Sequence, residues 1–220
     1  MKSLVERLLR LDTPSVSDAL DKLGLPGAAT GLAALTVKRR VAGRAQTVRL
    51  GPAKEGLPKR HLGAAAIMNA EEGDIIVVQH GRDDVSGWGG LLSRGALVKG
   101  VSAVVIDGGV RDIDEAAELD MPIYARAAVP LTARGRISEH GWNERITVCG
   151  VAVSPGDFVL ADGSGVVFVD GTRGEEVVSV AEDIARREQL MALAISDGKI
   201  IGDVLSASYE DMLQTRDAAL

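Results

Sequence analysis

With 220 residues, 46% hydrophobic and 25% charged, the chain has enough apolar surface for one well-buried core and too little length for two full domains, which excludes a disordered protein. A formal net charge of −6 excludes a phosphate-gripping nucleic-acid binder, because the basic stretch at residues 37–44 (VKRRVAGR) is short and reads as a solvated strand end. The single cysteine, Cys149, excludes an intramolecular disulfide and any multi-cysteine zinc cluster, and fits a reducing compartment.

The start, MKSLVERLLRLDTPSVSD, carries charges inside its apolar stretch and so lacks the uninterrupted core of a signal peptide. Nothing elsewhere approaches the ~20 apolar residues that cross a bilayer, so a cytoplasmic protein without membrane contact is expected. Thr13 reads as an N-cap with Pro14 as the first helical residue, and Val16, Ala19 and Leu20 continue at helical spacing up to Gly24. From Gly24 to Leu35 the chain is rich in Gly and Ala, which predicts a loop lining a site or approaching another backbone.

The middle of the chain alternates two periodicities. Residues 45–50 (AQTVRL) predict a strand, His61 to Asn69 a helix, 74–79 (DIIVVQ) a strand and Gly90 to Lys99 a helix. Residues 102–107 (SAVVID) then predict a strand, Asp112 to Leu119 a helix and 123–126 (IYAR) a short strand. Such alternation implies a sheet with parallel pairs and helical crossovers. Beyond Pro130 come the strand-like runs 146–153 (ITVCGVAV), 157–162 (DFVLAD) and 165–170 (GVVFVD), and then a long amphipathic helix from Glu175 to Ile195 with one sticky side. One sheet system shared by both halves is expected, making residues 1–220 a single domain.

Chemistry concentrates between Gly81 and Glu115. Gly87, Gly89 and Gly90 stand just before a predicted helix, where free N–H groups and the positive helix end can hold a carboxylate or phosphate. The strand at 104–107 runs into Gly108-Gly109 and then into Arg111 and Asp112, at the carboxyl end of a parallel strand, where ligands bind in open α/β sheets. The glycine pair reads as room for a substrate to approach the backbone. Cys149 in its apolar run reads as an inert thiol rather than a nucleophile. Lys99 reads as a solvated helix end rather than a Schiff-base lysine, and His61 and His140 lack metal-spaced partners.

Gly89-Gly90-Leu91-Leu92, the strand VVIDGGVRD at 104–112 and the continuation Leu119-Asp120-Met121-Pro122-Ile123 carry a resemblance. So do TPSVSDAL near the start, GDIIVV before the site and PGDFVLADGSGVVFV after it. The chain resembles the regulator of ribonuclease activity A-like family, which includes divalent-metal-dependent 4-hydroxy-4-methyl-2-oxoglutarate aldolases. The resemblance implies an α/β fold of the swivelling β/β/α type, with a partly parallel central sheet, helices packed around it and a long C-terminal helix. It implies a lyase that cleaves 4-hydroxy-2-oxo acids to pyruvate and also decarboxylates oxaloacetate. Its partner is then a small 2-oxo acid and its cofactor a divalent metal, Mg2+ or alternatively Mn2+.

In that likeness Arg111 contacts the substrate, Asp112 anchors the metal, and backbone amides of Gly89, Gly90, Leu91 and Leu92 hold the substrate carboxylate. Homotrimers or dimers of trimers are implied, with Glu188 of the C-terminal helix as the candidate carboxylate visiting from a neighbouring subunit. Aldolases of the family carry an acidic residue where this chain has Gly90; Asp83 and Asp84 lie just upstream, and Asp84 is the candidate substitute. The alternative is a non-catalytic regulator that binds a ribonuclease or another protein. The namesake regulator lacks an aspartate after the matching arginine, so the presence of Asp112 favours the enzyme.

Overall fold

The computed structural model describes residues 3–56 and 61–206. Ser3 and Glu6 form a reciprocal capping box that opens α1 (Leu4–Leu8). The next helix, α2 (Thr13–Lys22), is capped by Asp12 rather than Thr13, because the Asp12 carboxylate accepts the Ser15 N–H at 2.9 Å. Thr13 is drawn elsewhere: its N–H and hydroxyl both donate to Asp162, at 2.9 and 2.6 Å.

The remaining elements follow in order: β1 (Ala28–Ala29), β2 (Ala33–Ala34), β3 (Val41–Pro52), α3 (Ala64–Asn69), β4 (Ile75–Gln79), α4 (Gly90–Val98), β5 (Ala103–Val110), α5 (Ile113–Glu118) and β6 (Ile123–Ala128). After them come β7 (Ile137–Trp142), β8 (Ile146–Val148), β9 (Val151–Val153), β10 (Phe158–Asp162), β11 (Gly165–Val169), α6 (Gly174–Ser196) and α7 (Ile201–Val204). The run at 146–153 is therefore a hairpin and not one strand. Cys149 and Gly150, at φ 49° and 82°, make the tight turn between β8 and β9, a geometry that needs positive φ at both central positions.

A nine-stranded sheet takes the order β1-β11-β10-β3-β4-β5-β6-β2, with β7 also paired to β3. Strands β3, β4, β5 and β6 are mutually parallel, and the flanking pairs are antiparallel. The outermost strands, β1 and β2, are separated by only residues 30–32. Chain reach of ~3.5 Å per residue then brings the two sheet ends close together, so the sheet curls towards closure. The Gly24 to Leu35 segment thus seals the sheet and is not among the residues lining the cleft described below; of the two roles expected for it, the close approach to another backbone is the one found, since a Cβ on Gly27 would overlap the Phe168 carbonyl.

Curling gives the sheet an inside and an outside. Ile75, Val77, Val105, Tyr124, Val159 and Phe168 pack together inside, where the β8–β9 hairpin adds Ile146, Val148 and Val153. The alternate residues of the same strands, among them Ile76, Val78, Val104 and Ile106, face outward beneath α3, α4 and α5. A third cluster joins α1, α2 and α6 to β10 and β11 through Leu8, Val16, Leu20, Leu160 and Val177. Every residue of β5 is buried, as expected of a parallel strand covered on both faces. Each buried Val or Ile of these strands contributes roughly 1.5–3 kcal/mol on burial, so the central strands form a stiff platform for the loops at their carboxyl ends.

Candidate active site

Beyond β4 the chain does not leave the sheet but runs back along the end of β5. Gly81 N–H donates to the Asp107 carbonyl at 2.6 Å, Gly109 to Arg82 at 2.7 Å, Gly87 to Gly109 at 2.9 Å and Arg111 to Trp88 at 3.1 Å. This stitching explains the glycine pair. A Cβ on Gly108 would meet the His80 ring at 2.5 Å and the Arg82 carbonyl at 2.6 Å, and one on Gly109 would meet the Val85 carbonyl at 2.8 Å. Gly108 and Gly109 make room for the loop's own backbone, not for a substrate as the sequence suggested. The buried His80 fastens the same loop through Nε2, 2.7 Å from the Val85 carbonyl.

The loop ends at the N-terminus of α4, where Gly89 provides no side-chain cap. The buried Trp88 indole donates to Ser93 Oγ at 3.1 Å and holds this first turn in place. Gly90 N–H donates to Asp112 Oδ2 at 2.9 Å, while the N–H groups of Leu91 and Leu92 find no acceptor among the described residues. Asp112 itself precedes α5 with φ 58° and ψ 40°, a left-handed conformation that Asp tolerates better than most residues. Arg111 Nε lies 3.4 Å from Asp112 Oδ2, and Asp112 Oδ1 has no partner among the described residues.

Gly89, Gly90, Leu91, Leu92, Arg111 and Asp112 all line one open cleft of about 290 Å³. His61, Thr132, Arg134 and Ile137 also line it. The fold therefore assembles unpaired helix-start amides, a guanidinium and a carboxylate around one small volume, an arrangement suited to an anionic ligand.

Two residues proposed from the sequence lie elsewhere. Asp84 does not line the cleft; both its oxygens are held by Arg82, at 2.9 and 2.6 Å, and that guanidinium pulls its carboxyl below the ordinary range. The structure thus does not bring Asp84, expected as the substitute for an acid in the glycine loop, into the cleft lining. Glu188 sits exposed on α6, near Asp12 and Asp18, and does not line its own chain's cleft; burial first, then those two charges, raises its carboxyl. Of the bystanders, Lys99 is the exposed cap of α4, and His140 Nε2 lies 2.9 Å from the Pro52 carbonyl.

The carboxylate that does reach the glycine loop is one the sequence reading passed over. Glu115, in the first turn of α5, lays its carboxylate against Gly90, in the space a side chain at position 90 would fill. Arg94 holds it there from one turn further along α4, Nε to Oε1 at 2.7 Å. The signal in the sequence was the glycine itself: without a Cβ at position 90, the space beside the helix start is free for a carboxylate from the next helix.

Cys149 caps the β8–β9 turn over Asp107, whose Oδ2 accepts the Cys149 N–H at 2.8 Å and whose Oδ1 pairs with Arg126. Partial burial, with the Asp107 charge adding to it, pushes the thiol up to about 11. A thiol raised in this way carries little thiolate near neutral pH, in keeping with the unreactive cysteine expected from the sequence, although Cys149 is half-buried rather than buried.

Fold and cleft together define a mixed α/β protein with an open cleft at the carboxyl ends of parallel strands, where consecutive residues supply one guanidinium and one carboxylate. The chain belongs to the RraA-like family described as Aldolase/RraA, which it matches over residues 13–168. It is 30% identical over 192 residues to a Halalkalibacterium halodurans protein named "Putative 4-hydroxy-4-methyl-2-oxoglutarate aldolase", covering 85% of this chain and 86% of that one. It is 26% identical over 202 residues to the Legionella pneumophila protein DlpA, covering 91% of this chain but spanning only 33% of the length of DlpA. Among solved structures, Streptomyces coelicolor RraAS2, described as an unusual member of the RNase ES inhibitor RraA protein family, superposes with a TM-score of 0.75 at 28% identity, over 85% of this chain and 94% of that one. No helix among the described residues is long and apolar enough to cross a membrane.

Proposed function

We propose that this protein is a divalent-metal-dependent lyase that cleaves 4-hydroxy-2-oxo acids by a retro-aldol reaction to pyruvate, with oxaloacetate decarboxylation as a side activity. The observation that carries this reading is the convergence of Arg111, Asp112 and the free amides of Leu91 and Leu92 on one cleft. The donors present suit Mg2+ or Mn2+. Asp112 offers one unpartnered carboxylate oxygen to an open cleft, and Mg2+ keeps most of its waters and needs only one or two carboxylates. Among the described residues no cluster of three His, Cys, Asp or Glu exists, which is unlike a zinc cage. When bound at Asp112, the metal would supply Lewis-acid polarisation of the 2-oxo acid.

The protein's own groups then divide the work. The amides at the start of α4 hold the C1 carboxylate, aided by the positive end of the helix. As the C3–C4 bond breaks, the proton of the 4-hydroxyl leaves to a base, a carbonyl product departs and the enolate of pyruvate remains. The Arg111 guanidinium stabilises the negative oxygen that develops. Oxaloacetate yields the same enolate on losing carbon dioxide, so the same groups serve both reactions.

The site is completed, in this proposal, within a homotrimer or dimer of trimers in which Glu188 reaches the cleft of a neighbouring subunit. Large apolar side chains left exposed near the cleft and on the C-terminal helices, Leu91, Val98, Leu193 and Ile200, support such association. Glu115 contributes the carboxylate beside Gly90. The family also holds regulators, as the description of RraAS2 states, and a ribonuclease-binding role is the competing reading. The cleft-facing Asp112 favours the enzyme. The deciding experiment is pyruvate release from several 4-hydroxy-2-oxo acids and from oxaloacetate, with and without Mg2+. Metal-dependent release is expected, and its absence across the panel would end the lyase reading.

A further inference from the structure

We infer that His61 is the general base of the retro-aldol step, taking the proton of the substrate's 4-hydroxyl as the C3–C4 bond breaks. This rests on the cleft being a 2-oxo-acid site, and it supplies the proton acceptor that Arg111, Asp112 and the α4 amides do not provide. Four side chains that line the cleft can carry charge: His61, Arg111, Asp112 and Arg134. Guanidinium groups stay protonated and accept nothing. Asp112 accepts the Gly90 N–H with one oxygen, and the other is the one assigned to the metal. Glu115 is engaged by Arg94 and Asp84 by Arg82, and neither lines the cleft. The His61 imidazole, by contrast, is exposed and makes no hydrogen bond or ion pair among the described residues. Imidazole is also the side chain that most often serves as a general base near neutral pH.

The backbone that carries His61 is fixed against the start of α4. Its carbonyl accepts the Ala64 N–H at 3.1 Å, closing a turn that leads into α3. Within that turn, Gly63 N–H donates to the buried Glu139 on β7 at 2.7 Å. Gly63 is left-handed, at φ 74°, and packs so closely on the Trp88 ring that a Cβ there would come within 2.9 Å of it. Trp88 immediately precedes Gly89, the residue that opens α4, so one indole seats the His61 turn against the glycine loop. A cleft of about 290 Å³ then keeps the imidazole and the Arg111 guanidinium within reach of one small ligand.

The step balances. An imidazole nitrogen takes the hydroxyl proton, the C4–O bond becomes a carbonyl, and the C3–C4 electron pair is left in the enolate of pyruvate. The enolate then takes a proton from water at C3, and the imidazolium returns one to water. Oxaloacetate has no 4-hydroxyl: its C3–C4 electron pair is released as carbon dioxide departs. Only the aldol reaction therefore needs His61.

That asymmetry is the test. Pyruvate release is measured from a 4-hydroxy-2-oxo acid and from oxaloacetate with Mg2+-loaded wild type, His61→Ala and His61→Gln. Either substitution should lower the ratio of aldol cleavage to decarboxylation by at least ~100-fold, the lower end of what a general base contributes. Added imidazole should restore aldol cleavage in His61→Ala, where the lost ring leaves space for it, and not in His61→Gln. Affinity for pyruvate, which has no 4-hydroxyl, should match in all three proteins by calorimetry. An unchanged ratio, a parallel loss of both reactions, a loss of pyruvate affinity or no response to imidazole would overturn the assignment of His61 and leave the lyase reading intact. A wild type that cleaves no 4-hydroxy-2-oxo acid would overturn the lyase reading itself, and the base with it.

Discussion

The backbone N–H of Gly90 donates to Oδ2 of Asp112 at 2.9 Å, tying the first turn of α4 to the residue that starts α5. Two helix starts that are 22 residues apart in sequence are thereby locked into one cleft, and one carboxylate does the locking while its other oxygen stays free.

Asp112 should therefore separate activity from stability only when the replacement keeps its backbone. Asp112→Asn tolerates the left-handed conformation and can still accept the Gly90 N–H, but it removes the charge. We expect Mg2+-dependent pyruvate release to fall by at least ~100-fold with the melting temperature nearly unchanged. Asp112→Ala should lose the same activity and also about 1–2 kcal/mol of stability, because alanine strains at φ 58°. Full Mg2+-dependent turnover in the Asn variant would refute the metal assignment.

Gly90→Ala places a methyl group where the Glu115 carboxylate lies. The side chain of Glu115 can swing away, at the cost of its pairing with Arg94, and an exposed pair of this kind contributes only ~0–1 kcal/mol. Stability should drop by no more than that, while turnover falls to the level of Glu115→Gln. Combining the two substitutions should add nothing, since both remove one carboxylate from one place. Additive losses in kcat would show that Gly90→Ala acts by a route other than displacing the Glu115 carboxylate, and an unchanged kcat in Glu115→Gln would show that Glu115 has no part in the site.

Glu188 is tested by mixing subunits. Asp112→Ala and Glu188→Ala proteins, each inactive alone, should regain partial activity when co-assembled, because some interfaces then contain both intact groups. A fully active Glu188→Ala homo-oligomer would remove Glu188 from the reaction. It would then remain as an α6 carboxylate facing Asp12 and Asp18.

Cys149 gives a pH-dependent readout of the β8–β9 turn. Its thiol is pushed up to about 11, by burial and then by the Asp107 charge, against the opposing Arg126. A raised value means that the neutral thiol is the form the fold favours. Its contribution to stability is complete below the ordinary thiol value and is lost as pH rises through about 11. At pH 8 a disulfide reagent should label the native protein ~100-fold more slowly than the urea-unfolded chain, in proportion to the thiolate present. Equal rates in the two states would contradict the environment described for Cys149.

Much of this architecture is legible from local pattern. The runs IIVV and AVVI are apolar on both faces, which marks β4 and β5 as buried parallel strands, and the 3.6-residue spacing marks α2, α4 and α6. Gly89 to Leu92, Arg111 and Asp112 were recognisable because backbone amides at a helix start and charges at a strand end act where local structure puts them. Local pattern also misleads where two structures share it: alternation across 146–153 is the same for one strand and for a hairpin, and only the turn at Cys149-Gly150 distinguishes them.

What tertiary structure alone decided is which distant side chains share a space. Asp84 is nearer in sequence to the glycine loop than Glu115, yet Arg82 holds Asp84 away while Glu115 arrives from the next helix beside Gly90. Arg134 carries no motif, and it enters the cleft because hydrogen bonds from Ser86 and Val129 fold its segment back over the end of β5. Periodicity records which face of its own element a residue occupies. It contains no record of which other element packs there, because that depends on the sheet curling until β1 and β2, the ends of an eight-strand order, are joined by three residues of chain.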